Sequence, residues 1–230
     1  SGCLVSSATY VFNDLMDRES DRLHPRKRFT RPLAAGLVSP KAAYLMIAAL
    51  LASAAAIAFF NPRIVSVVVA YLLLQVAYTM KLKHMPVVDL FAIAAGFVLR
   101  VYAGSLSVSV ELSFWMFITT LCLALHLAAA KRLQELKANG PLARTVLQEY
   151  SVPVLQYYVD LSAICAVVFY GMFVATVRHS LVATTVFVMF GVFRYRYATE
   201  RNGGAESPVD VLFGDRLLLL CVLCWALTCI

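Results

Sequence analysis

The chain has 230 residues, 61% of them hydrophobic and only 14% charged, with a mean hydropathy of +0.78 and a net charge of +7. A soluble globular domain carries about a quarter charged residues, so these values exclude that class and indicate an all-α, polytopic transmembrane helix bundle. No nucleic-acid partner is expected.

A bilayer core of roughly 30 Å needs about 20 apolar residues per helix. In chain order, Ser1 to Phe12 has the character of the tail of one span, so an N-terminal piece is expected to precede it and the first span to be truncated. Further spans are expected near 41–60, 64–80, 87–106, 112–130, 154–177, 181–193 and 216–230. No low-complexity linker separates them, and residues 1–230 read as a single membrane domain.

The charges alternate with the spans. Of the 20 Lys and Arg, six lie within residues 18–31, and Lys41 follows. Lys81 and Lys83 form a second group, Lys131, Arg132, Lys137 and Arg144 a third, and Arg194, Arg196, Arg201 and Arg216 a fourth. The intervening loops carry only Arg63 and Arg178. Lys/Arg excess marks cytoplasmic loops, so every second loop faces one side, where the charge suits lipid headgroups and phosphorylated substrates alike. The six cysteines, including the Cys221/Cys224 pair, sit in apolar runs and read as packing residues.

The chemistry concentrates in "YVFNDLMDRESDRLHPRKRFTRPLAAG". On a helix Asn13, Asp14, Asp17 and Asp21 point to roughly one side, and like charges that close need a cation. One reading pairs them with Arg18 and Arg22 at a solvated helix end. The other places Mg²⁺ on one or two of the carboxylates, with water and substrate phosphates completing its shell, and offers Lys27, Arg28 and Arg31 as phosphate partners.

These residues match the NDxxDxxxD signature of the UbiA-type intramembrane prenyltransferase superfamily, and "RPLAAG" resembles the turn that follows it there. Three more stretches resemble the decaprenyl-phosphate phosphoribosyltransferase branch: "YTMKLKHMPVVDLFAIAAGFVLRVYAG", "AAAKRLQEL" and "FRYRYATERNGGAESPVDVLFGDRLLLL". The resemblance implies about nine helical spans around a central cavity, in the bacterial inner (cytoplasmic) membrane, with the active site facing the cytoplasm. It implies a Mg²⁺-dependent transferase that moves phosphoribose from phosphoribosyl diphosphate to a polyprenyl phosphate in lipid-linked pentose synthesis. The oligomeric state stays open.

Superfamily prenyltransferases usually carry a second aspartate-rich motif in a later cytoplasmic loop. Here that stretch reads Lys131, Arg132, Leu133, Gln134, Glu135, a basic pair with one acid. Such a group would hold a phosphate directly, which favours two phosphorylated substrates over prenyl transfer to an aromatic ring. A non-enzymatic transporter is the third alternative, and the aspartates stacked at a helix end argue against it. The metal set is therefore Asp14, Asp17 and Asp21, oriented by Asn13. Lys83, Lys131 and Arg132, with Glu135, are the candidates for the lipid phosphate or the ribose 5-phosphate.

Several side chains have two readings. Asp89 either shapes the polar site or pairs with Lys81 or Lys83. Tyr78 either donates to a phosphate or anchors at the interface. Arg100 is expected to be structural, with Asp160 as a candidate partner, and His126 to be a hydrogen-bonded packing residue. Positive-inside anchoring accounts for the Arg194 to Arg216 group.

Overall fold

The computed structural model describes residues 2–23, 27–59, 62–141, 144–201 and 208–229, excepting the side chains of Ser20, Leu23, Lys27, Ile57 and Ala58. Among the described residues there is no strand. They fall into two compact units, residues 1–82 with 99–111 and residues 83–98 with 112–230.

The first unit contains α1 (Gly2–Met16), α2 (Arg18–Leu23), α3 (Lys27–Thr30), α4 (Pro40–Phe59) and α5 (Pro62–Met80). Proline opens both α4 and α5, where its missing N–H costs nothing, and the Ser39 hydroxyl accepts the Ala42 N–H at 3.2 Å. Helix α1 packs on α4 and α5, around buried Val5, Ala54 and Tyr71. The small buried residues Ala8, Ala43 and Ala54 let these helices approach closely. Arg100 donates to the Ser6 hydroxyl at 3.4 Å and lies 5.8 Å from the centre of the Tyr71 ring.

The second unit contains α7 (Phe114–Asn139), α8 (Val152–Thr176), α9 (Thr185–Arg201), α10 (Pro208–Gly214) and α11 (Arg216–Thr228). The chain joins the units through α6 (Val88–Ser107), whose residues up to Val98 belong to the second. Helix α7 begins at Ser113, whose hydroxyl accepts the Met116 N–H at 3.2 Å, and stops at Gly140, where φ is +72°. It packs along α8, around a core that includes Leu133, Leu147, Leu155 and Val159. A second cluster joins Tyr170, Phe173 and Val174. His126 is buried, its Nδ1 lies 3.0 Å from the Val159 carbonyl, and its ring meets Tyr195 edge-on. That is the packing role the sequence suggested. Cys221 is likewise buried, 3.2 Å from the Phe187 carbonyl.

Among the described residues four helices, α5 to α8, are long and apolar enough to cross a membrane, and the bent pair α10–α11 would make a fifth. Only 22% of the α5 span and 28% of the α6 span are buried within the protein. Their remaining surface is apolar, with Leu73 and Phe91 more than half exposed, as are Ile164 and Val168 on α8. Such a surface requires lipid, and the chain is a multi-pass membrane protein. Lys131 to Glu135, expected on a loop, instead continue α7. The sequence KRLQELKAN is rich in strong helix formers and contains no breaker before Gly140.

Candidate functional site

In the first unit the acid row spans the α1–α2 junction. The path stays helical across it, because Asp17 N–H donates to the Asn13 carbonyl at 2.9 Å and Asp21 N–H to the Asp17 carbonyl at 2.8 Å. The Asn13 amide donates to Asp17 Oδ2 at 3.2 Å, and the Thr79 hydroxyl of α5 donates to Asn13 Oδ1 at 3.3 Å. Asn13 therefore bridges Asp17 and Thr79. Tyr78, half-buried, precedes Thr79 on the same helix.

The cation opposing these acids is Arg31. Its Nη1 pairs with Asp14, and its Nε lies 3.9 Å from Asp21 Oδ2. Arg22 pairs with Glu19 at 3.7 Å. Arg31 is held by the turn it begins. In that turn Ala35 N–H donates to the Arg31 carbonyl at 2.8 Å, Leu37 N–H donates to the Pro32 carbonyl at 2.9 Å, and Leu33 and Ala34 are buried. Gly36 closes the turn at φ +77°, a conformation other residues adopt at a cost. The RPLAAG stretch is thus a structural device for presenting Arg31 to the acid row. Arg28 lies over the Phe29 ring at 4.4 Å, and the Lys27 side chain lies outside the described residues.

Among the described residues no three His, Cys, Asp or Glu side chains converge closely enough to hold a metal alone. The donors of the acid row are nevertheless hard carboxylate oxygens, and a guanidinium already occupies the place between Asp14 and Asp21 where a cation is required. That arrangement fits Mg²⁺, which takes one or two carboxylates and completes its shell with water and phosphate oxygens.

In the second unit Asp89, fully buried, accepts from Arg132 Nε at 2.9 Å on one oxygen and from the Tyr150 hydroxyl at 2.8 Å on the other. Arg132, 2% exposed, also donates through Nη1 to Glu135 at 2.8 Å, and Arg144 Nε lies 3.2 Å from the same carboxylate oxygen. Two acids and two arginines form one chain of alternating charge. Asp89, one of whose two readings paired it with Lys81 or Lys83, is held by Arg132 because it faces inward toward α7 from the first turn of α6. Arg132 and Glu135, assigned from sequence to phosphate, are occupied with this buried network. Asp160, suggested as a partner for Arg100, is engaged by Arg196 at 3.7 Å and by Gln156.

Tyr150 has a second task. Its oxygen accepts the Val87 N–H at 2.6 Å, and Val87, a β-branched residue, has φ +67°. The Val88 N–H donates to the Pro86 carbonyl across it at 2.7 Å, closing a tight turn of an uncommon kind. Burial, followed by the neighbouring Asp89 carboxylate, pushes the Tyr150 hydroxyl well above the ordinary phenol range, so it remains a donor to Asp89. His84 Nδ1 lies 2.8 Å from the Thr145 hydroxyl. The segment carrying Lys83 is therefore fixed at His84, Val87 and Asp89. Lys83 and Lys131 are both partly exposed.

The sequence reading missed Tyr150, Arg144, Thr79 and the pairing of Arg194 with Asp215. Each acts across 9 to 66 residues of chain, and no local pattern marks the partner.

A decaprenyl-phosphate phosphoribosyltransferase of Mycobacterium tuberculosis is 34% identical over 98% of this chain and 76% of its own length. The proteins of the same name from Mycolicibacterium smegmatis and Corynebacterium glutamicum are 33% and 32% identical, each over 97% of this chain and over 75% and 70% of their own lengths. The model of the UbiA prenyltransferase family matches residues 1–214, from the first apolar helix through the acid row to the end of α10. With that match covering nearly the whole chain, the protein belongs to the UbiA prenyltransferase family.

Proposed function

We propose that the protein transfers 5-phosphoribose from phosphoribosyl diphosphate to a polyprenyl phosphate and releases diphosphate. The observation that carries the proposal is 34% identity over 98% of the chain to an enzyme named for phosphoribosyl transfer to decaprenyl phosphate. Chemistry of the matching kind is present, with an acid row opposed by Arg31 and the partly exposed Lys83 and Lys131 as further cations.

Asp14, Asp17 and Asp21 are the residues that would hold Mg²⁺. Bound there, it would neutralise charge building on the leaving diphosphate. Asn13 keeps the Asp17 carboxylate oriented, and Arg31 and Arg28 are assigned to diphosphate oxygens, with Lys27 beside them in sequence. Tyr78 is assigned to the same anion as a hydroxyl donor. In the second unit Lys83 and Lys131 are assigned to phosphate oxygens, while Asp89, Arg132 and Glu135 position the elements that carry them. A phosphate oxygen of the acceptor forms the bond to the anomeric carbon as the bond to diphosphate breaks, and the electron pair leaves with diphosphate. The acceptor is already an anion, so no strong base is needed, and fixed cations supply most of the stabilisation. The Lys/Arg bias of alternate loops supports a cytoplasmic location for this chemistry in a bacterial inner membrane.

The test uses membranes containing the protein, Mg²⁺, polyprenyl phosphate and labelled phosphoribosyl diphosphate. Label entering the lipid phase is the expected result. No such transfer, together with prenylation of hydroxybenzoate from a polyprenyl diphosphate, would overturn the proposal in favour of aromatic prenyl transfer.

A further inference from the structure

The 3₁₀ helix Thr145–Glu149 grips the segment in front of α6 from both of its ends. At its start the Thr145 hydroxyl lies 2.8 Å from His84 Nδ1. Just past its end the Tyr150 hydroxyl accepts the Val87 N–H at 2.6 Å and donates to Asp89 at 2.8 Å. A 3₁₀ helix rises about 2 Å per residue, so the two grips stand about 10 Å apart on one element.

That element is itself held fast. Val146 and Leu147 are 1% and 0% exposed, in the core they share with Leu133 and Leu155. Leu147 N–H donates to the Arg144 carbonyl at 3.0 Å, and Tyr150 N–H to the Leu147 carbonyl at 3.3 Å. Arg144 in turn reaches Glu135 of α7 at 3.2 Å. The helix is a splint anchored in the core of the second unit, and residues 84–89 are tied to it.

The tied segment has a shape it would not keep alone. Val87 has φ +67°, where a β-branched side chain is an outlier. Two bonds close the turn across it, from Val88 N–H to the Pro86 carbonyl at 2.7 Å and from Asp89 N–H to the Met85 carbonyl at 3.0 Å. Glycine would adopt this turn at no steric cost. With valine in its place, the phenol that captures the Val87 N–H is the tie that selects positive φ. Strained backbone of this kind persists only where its surroundings over-determine it, and it clusters at functional sites.

What the segment carries is Lys83, one residue before the Thr145 grip. A lysine ammonium rides on a flexible four-carbon stem, so its placement is only as good as that of its backbone. We infer that Tyr150, with Thr145, is a positioning residue of the transfer reaction: through Val87 and His84 it holds Lys83 where a substrate phosphate is received. Both act through the segment and not on the substrate. That Lys83 meets a phosphate rests on the function proposed above, whereas the mechanical link from Tyr150 to the Lys83 segment does not.

Two measurements on the detergent-purified whole chain test the inference. The first is amide hydrogen exchange. Tyr150→Phe and Thr145→Ala should each speed exchange of the 84–88 segment, the former about tenfold, while α7 and α8 keep their protection. Unchanged exchange in both variants would overturn the inference. The second is steady-state transfer, with KM taken separately for phosphoribosyl diphosphate and polyprenyl phosphate. With the competent turn reduced to about a tenth of the population, Tyr150→Phe raises one KM about tenfold and leaves kcat within about threefold. It should be the same KM that Lys83→Gln raises, and the double variant should be no worse than Lys83→Gln alone. Val87→Gly added to Tyr150→Phe should return that KM to within about threefold of wild type, because glycine takes positive φ freely. A tyrosine needed only for folding would instead lower kcat when removed, add its loss to that of Lys83→Gln, and gain nothing from glycine. Any of those results would overturn the inference. Should Tyr150→Phe fail to fold, Thr145→Ala, at an exposed position, decides the matter. The same KM should then rise about threefold, as the loss of one modest hydrogen bond predicts, and an unchanged KM would overturn the inference. Faster exchange with normal transfer kinetics would leave the function standing and remove the positioning role. Faster exchange in a protein that transfers no phosphoribose would keep the tie and remove both the function and the role built on it.

Discussion

Replacing Asp89 by Asn keeps the shape of the side chain and removes its charge. The carboxylate receives Arg132 Nε at 2.9 Å and the Tyr150 hydroxyl at 2.8 Å, one on each oxygen. Asn has one acceptor oxygen, so either the guanidinium or the hydroxyl loses its acceptor. Arg132 is 2% exposed and cannot turn to solvent. Breaking a buried ion pair by removing one partner costs about 3–5 kcal/mol. Glu135 still accepts from Arg132 at 2.8 Å, so the low end applies, about 3 kcal/mol. The double replacement Asp89→Leu with Arg132→Met removes both partners. It should cost less than the sum of the single changes, because no uncompensated charge stays buried. The assay is reversible unfolding in mixed micelles by SDS titration. A loss below about 1 kcal/mol for Asp89→Asn, or strict additivity in the double variant, would refute the claim that this pair is a buried structural brace.

Asp17→Asn should abolish transfer while leaving SDS unfolding within about 0.5 kcal/mol of wild type, and added Mg²⁺ should not restore activity; an active variant would remove Asp17 from the proposed metal site. Gly36→Ala should cost about 1 kcal/mol from backbone strain alone, because φ is +77° and an added Cβ meets open space. Its activity should fall further than its stability, through displacement of Arg31, which a parallel assay of both will show. Tyr150 has a folded pKa raised above its unfolded value near 10. Its contribution is fully present below that pH and is lost as pH rises through the folded value, so Tyr150→Phe should flatten the decline of stability above pH 10. An unchanged alkaline profile would exclude Tyr150 as its source.

What could be read from sequence depended on whether the partner lies nearby in the chain. The apolar runs near 64–80, 87–106 and 154–177 became α5, α6 and α8 within two residues at each end, since length and hydropathy are local properties. The acid row was legible because four polar residues recur within nine positions, but Arg31, named with Lys27 and Arg28 as a phosphate partner, was not read as its counter-ion. The approach of Arg31 to the row came from the fold of the 31–38 turn. Arg132 was placed on a loop because its charge ended a hydropathic run. Its helical position and inward direction depend on Asp89, 43 residues earlier. The turn at Val87 had no sequence signal, since a β-branched residue at positive φ is held there by Tyr150 from 63 residues away.

The most direct measurement follows the two ends of one donor molecule. Phosphoribosyl diphosphate labelled with ¹⁴C in ribose and ³²P in its β-phosphate is given to the purified protein with polyprenyl phosphate and Mg²⁺. The account predicts ¹⁴C in the lipid phase and ³²P in aqueous diphosphate, in equal molar amounts and abolished in Asp17→Asn. Carbon label that stays in the aqueous phase, while the same preparation transfers a prenyl group from a polyprenyl diphosphate, would contradict it.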